Sequence, residues 1–259
     1  MNNPAARLHL LTKKARSHGD KPPGRLWASV FELPYESDGV KPEDVRRVVE
    51  GLMEFHALIV ETETGVREMG FEDFYFGPFP ALRGVVHASL SNLRGGVTGL
   101  LSSVTLEHEP PLLVLATEWN KKRLDPEIDH ELLSEIQTEV QQLFNEISSA
   151  DINSDLKRLI LTLLAEIQQA IEQYRIGGAE RLKRALALII GQASLNSDVV
   201  EHATVEKQSR VWWSRTQSLV VKLYSAVKFA NDTRQTIERA VPFLRLLGAG
   251  NEIPPIDLN

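Results

Sequence analysis

Residues 148–192 read SSADINSDLKRLILTLLAEIQQAIEQYRIGGAERLKRALALIIGQ. Leu156, Leu159, Ile160, Leu163, Leu164, Ile167, Ala170, Ile171 and Tyr174 recur at helical spacing and form one broad apolar stripe. Asn153 or Ser154 can cap that helix, because a short side-chain oxygen satisfies a free N–H of the first turn. Gly177-Gly178 supplies a turn, and Leu182, Leu186, Ile189 and Ile190 resume an amphipathic pattern that stops near Gly191. Residues 153–191 are therefore expected to form an antiparallel helical hairpin, which sets the fold class as all-α.

The pattern extends on both sides of the hairpin. Upstream, Leu132, Leu133, Ile136, Val140, Leu143, Phe144 and Ile147 define another helix, closed by Ser148-Ser149-Ala150. Pro42 begins a helix through Val45, Val48, Val49, Leu52, Phe55 and Ile59 to about Met69, with Gly70 as its cap. The aromatic cluster Phe71, Phe74, Tyr75, Phe76 and Phe79 reads as a packed turn. Leu82, Val86, Leu90, Leu93, Val97, Leu100 and Val104 support a helix that Gly84, Gly95, Gly96 and Gly99 weaken. Pro110-Pro111 is read as a break, and Leu112 to Ala116 as a strand or a buried helical turn. Downstream, a long helix from about Arg210 to Val241 carries Trp212, Leu219, Leu223 and Ile237 on one face.

The resulting architecture is an irregular helical bundle with a central antiparallel hairpin and a long C-terminal amphipathic helix. Its expected parts are a basic flexible tail over 1–24, a helical core domain over 25–191, a linker over 192–209, the amphipathic helix over 210–248 and an extended tail over 249–259. Charge follows these parts. The chain carries −6 overall, yet its first 25 residues hold six basic side chains against Asp20 alone, and residues 206–247 hold eight against three acids. The body between them is strongly acidic, which argues against nucleic-acid binding. A basic C-terminal segment suits an acidic protein surface, the chain's own body or anionic lipid.

The 259 residues contain no cysteine, which excludes disulfides, thiolate metal sites and thiol nucleophiles. No run approaches the roughly 18 apolar residues of a membrane span, and the first residues lack a secretory signal's apolar core, so a cytoplasmic location is expected.

The 148–192 segment, with Tyr174-Arg175-Ile176, Gly178 and Ala179-Glu180, resembles a segment of an uncharacterised bacterial helical protein family. Trp27, Phe31 and the helix from Val45 extend the resemblance over residues 25–191. It implies a helical fold and a setting among mobile-element or anti-phage genes, and it implies no catalytic residue or ligand.

Sequence motifs for chemistry are sparse. Glu127-Ile128-Asp129-His130 is a single Glu-x-x-His, whereas a di-iron bundle needs two such pairs and two further Glu. Glu107-His108-Glu109 reads as a surface cluster. His56 and His87 adjoin apolar faces, where a histidine is expected to be hydrogen-bonded in the core. Arg83 and His87 on one helix resemble the Arg/His pair of helical ribonucleases, with three residues between them where four to six are usual. The glycines of Leu93 to Gly99 lack the Gly-Lys-Ser/Thr ending of a phosphate loop.

No catalytic, cofactor-binding or metal-binding residue is assigned from sequence, and no cofactor is expected. The expected function is a non-enzymatic interaction or regulatory protein that binds a protein partner or itself. Trp212, Trp213, Leu219, Leu223 and Ile237 are its candidate interaction residues. A peripheral membrane protein acting through residues 210–248 and a small ribonuclease-like helical enzyme are the alternatives.

Overall fold

A computed structural model describes residues 3–19, 21–33, 42–93, 106–122 and 128–230 of the chain. Among the described residues there are ten α-helices and no strand: α1 (Pro4–Ser17), α2 (Pro23–Phe31), α3 (Pro42–Glu68), α4 (Pro78–Ser91), α5 (Glu109–Lys122), α6 (His130–Ser149), α7 (Ser154–Glu172), α8 (Tyr174–Leu195), α9 (Ser197–Val205) and α10 (Lys207–Ala230). The protein is all-α, as the periodicity requires.

The helices divide between two compact units. Residues 1–125 and 175–178 make the first; residues 126–174 and 179–259 make the second. The single core domain expected over 25–191 is thus corrected to two, each with its own apolar cluster.

In the first unit, α1 replaces the expected flexible tail over 1–24. Leu8, Leu11 and Ala15 are buried along one face of α1, and Asn3 caps it by accepting a hydrogen bond from the Ala6 N–H. The Asn3 amide also donates to the Ala116 carbonyl (2.8 Å) and to Asn120 Oδ1 (2.7 Å) on α5. The basic residues that suggested a solvated tail meet acids instead: Arg16 pairs with Glu109 (2.5 Å) and Lys14 with Glu32 (2.7 Å). A charge count does not reveal such pairing, because the acids lie 18 and 93 positions away.

Prolines start helices here, Pro110 and Pro111 among them, which were read as a break. Pro23 opens α2, and Pro110 and Pro111 lie in the first turn of α5, where a missing N–H costs nothing and the fixed φ is already helical. The Trp27 ring stacks on Phe31 (5.3 Å between centroids) and tilts against Phe55 (5.3 Å), while its Nε1–H donates to Ser89 Oγ (2.8 Å). The Trp119 ring lies directly on Gly65, so α3 and α5 approach where only a hydrogen side chain fits. The aromatic segment after α3 is a packed turn, with Phe71 and Tyr75 edge to face (5.3 Å) and Gly70 at φ 67° behind the helix end.

In the second unit, Asn153 caps α7 by accepting from the Asp155 and Leu156 N–H groups. The stripes of α6, α7 and the 179–195 part of α8 share one core, from Ile136 and Val140 through Leu163 and Ile167 to Leu182, Leu186 and Ile189. α7 ends at its Gln173 cap, and α8 is kinked at Gly178, with φ 59° and ψ −154°. Arg181 reaches back across it, donating to Gln173 (2.7 Å) and pairing with Glu166 (3.0 Å). The linker expected over 192–209 is helical: α8 runs to Leu195, and α9 buries Val200 and Ala203. Few apolar residues suffice there, because the polar remainder of α9 faces water. Of the helix expected over 210–248, α10 covers the part up to Ala230. Ile237 and the tail over 249–259 lie outside the described residues.

Candidate functional site

Of the interaction residues proposed from sequence, the four that are described, Trp212, Trp213, Leu219 and Leu223, are used within the second unit. Trp213, Leu219 and Leu223 are buried in its core, and Trp212 packs at the core's edge beneath the Arg215 guanidinium (5.1 Å). The basic residues beside the stripe explain the arrangement. Arg215 pairs with Glu146, and Lys222 with Glu139 (2.5 Å), so α10 lies antiparallel on acidic α6. Hydrogen bonds from Arg215 and then Gln142 hold the Glu146 carboxyl below the usual range, against a smaller opposing effect of burial. Arg215 and Lys222 thus serve docking on the chain's own body. Among the described residues no helix is long and apolar enough to cross a membrane.

A second locus forms on the seam between α3 and α4, out of residues that sequence separates widely. His56 on α3 and His87 on α4 bring their rings to 6.1 Å, at 68° to each other. Further along the seam, Glu63 pairs with Arg83 and with Arg67 (2.9 Å). Burial pushes the Glu63 carboxyl up, but hydrogen bonds and charge from Arg67 and Arg83 together prevail and hold it below the ordinary value. The expectation of core histidines is corrected here: His56 is half-buried, His87 is exposed, and among the described residues no hydrogen bond reaches either ring. Met53 (55% exposed) and Val60 (43%) flank His56 on the same side of α3, one heptad apart. On α4, Gly84 leaves open space where a side chain would stand.

The remaining sequence candidates do not assemble into a reactive set. Glu109 is taken by Arg16, and His108 closes a single 3₁₀ turn before α5. His130 starts α6 with its ring edge-on to Tyr174 (6.0 Å), whose hydroxyl accepts from the Ile128 N–H (3.0 Å); Glu127 lies outside the described residues. Among the described residues no group of three or more His, Asp or Glu is placed to hold a metal. A cavity of about 430 Å³ lies between the α7 N-terminus, α9 and the start of α10, lined by Asp155, Asp198, His202 and Glu206 among others. There His202 Nδ1 sits 2.7 Å from the Asp198 carbonyl, which can only accept, so Nδ1 is the donor of this pair. No family model, curated protein or solved structure matches this chain.

One structural residue escaped the sequence reading. Arg7 is buried on α1, donates from Nε to the Ile176 carbonyl (3.0 Å) and lies 3.7 Å from Glu61. It holds residues 175–178 in the first unit, and its guanidinium lies against Gly178. The only signal was Gly178 itself, visible as a turn residue but not as the seat of an arginine 171 positions earlier.

Proposed function

We propose that this chain is a non-enzymatic helical binding protein, an interaction or regulatory component that works through contact with a protein partner. The observation that supports it is the outer face of α3, where Met53 and Val60 stand exposed one heptad apart beside the His56–His87 seam. Large apolar side chains aligned on one exposed helix face are a common form of protein contact surface. This moves the proposed surface from α10, whose apolar stripe is used internally, to α3.

The ribonuclease alternative is weaker, because the Arg83 guanidinium that would meet a phosphate is already paired with Glu63. The membrane alternative is weaker because Trp213, Leu219 and Leu223 face the second unit's core. The test is a Met53→Glu/Val60→Glu double variant. Tagged full-length wild type from its own host is expected to carry a stoichiometric protein partner, or to self-associate in light scattering, and the double variant to lose this with its thermal midpoint unchanged. Partner binding that survives in the variant would overturn the assignment of this face.

A further inference from the structure

We propose that His56 and His87 together form a two-imidazole seat for a borderline divalent metal ion of the zinc class. The first argument is distance. Two imidazoles that share one ion through metal–nitrogen bonds of about 2.1 Å hold their ring centroids roughly 5–6 Å apart. The observed 6.1 Å lies close to that range. The rings come from facing helices, and the Glu63 pair with Arg83 pins the register that sets them opposite each other.

The second argument is availability. Neither ring has a hydrogen-bond partner among the described residues, so no hydrogen bond between described residues has to break for a ring nitrogen to bind an ion. One ring is exposed and the other half-buried, which keeps the cost of ordering and desolvating them small.

The third is electrostatic and steric. Arg83, the seam cation one turn from His87, is neutralised by Glu63, so it does not repel a second positive charge as a free guanidinium would. Gly84, also a turn before His87, leaves room for the ion's outer ligands. Nitrogen donors select zinc, copper or nickel over magnesium and calcium, which take oxygen. With two protein ligands, water completes the coordination and the ion exchanges readily.

The experiment is isothermal titration of the full chain with zinc chloride, with magnesium chloride as the control, on wild type, His56→Ala, His87→Ala and the double variant. Circular dichroism checks that each variant is folded. The expected result is one zinc per wild-type chain, weakened in each single variant, lost in the double variant, and no magnesium heat in any. Cobalt added in place of zinc should give a visible ligand-field band in wild type that the His87→Ala variant lacks; His87 is exposed, so this variant keeps the fold. Zinc binding of the same strength in the double variant, or no binding by wild type at all, would overturn the proposal.

Discussion

Gly178 shows how one backbone conformation decides a connection. Its φ of 59° and ψ of −154° lie in a region that essentially only glycine occupies, and the Arg7 guanidinium fills the space a Cβ would need. Gly178→Ala should therefore destabilise by about 1–3 kcal/mol in urea denaturation. Gly191 is a contrast, because nothing lies within 4 Å of its missing Cβ and its backbone is helical. Gly191→Ala should stabilise by roughly 0.5–1 kcal/mol, and a loss there would show that its helix is wrongly placed. His9 gives a pH signature. Burial lowers its pKa, Glu109 raises it less, and Lys13 lowers it further. A histidine depressed in the folded state contributes stability above its unfolded pKa, and that contribution is lost as pH falls toward the folded value, because the unfolded chain takes the proton first. The thermal midpoint of wild type should fall below about pH 6.5 more steeply than that of His9→Gln.

At the scale of elements, helix faces carry the stability and ion pairs set the register. Leu163 on α7 and Leu223 on α10 are both buried in the second unit's core. Leu163→Asp and Leu223→Asp should each cost about 3–5 kcal/mol, the loss of a large core side chain with a charge put in its place. Lys157→Ala removes one hydrogen bond to the Ala150 carbonyl (3.0 Å), worth about 0.5–1.5 kcal/mol. Chemical denaturation that ranks Lys157→Ala level with Leu163→Asp would show that the buried face of α7 is misassigned. Removing everything after Gln208 strips Trp213, Leu219 and Leu223 from that core, and loss of solubility is the expected outcome. The pairs of α10 with Glu146 and Glu139 are surface contacts, so Lys222→Ala should shift stability little, and less still at high salt.

At the scale of the whole molecule, far-ultraviolet circular dichroism should show a helical spectrum, and a β-dominated one would remove the architecture described here. That outcome rests on local information. Helical period is a property of residues three and four apart, so the stripes of α6 and α7, the Asn153 cap and the Gly70 and Gly178 turns are legible in the chain itself. Short-range rules also misled where a residue has two uses: Pro110 and Pro111 start a helix as readily as they stop one, and a basic segment is a tail only while its acidic partners are unknown. The sequence by itself therefore determined that the protein is helical, which faces are apolar, and where α3 and α7 begin. Only the tertiary structure decided that the core is two, that α1 is packed by Arg7 on Ile176 across 169 positions, that the α10 stripe closes on its own body, and that His56 meets His87. The physical reason is that an apolar or charged face specifies that it must be covered and not by what. Many pairings of amphipathic helices bury similar areas, and the choice among them is made by close contacts, such as Trp119 on Gly65, between residues that no local pattern relates.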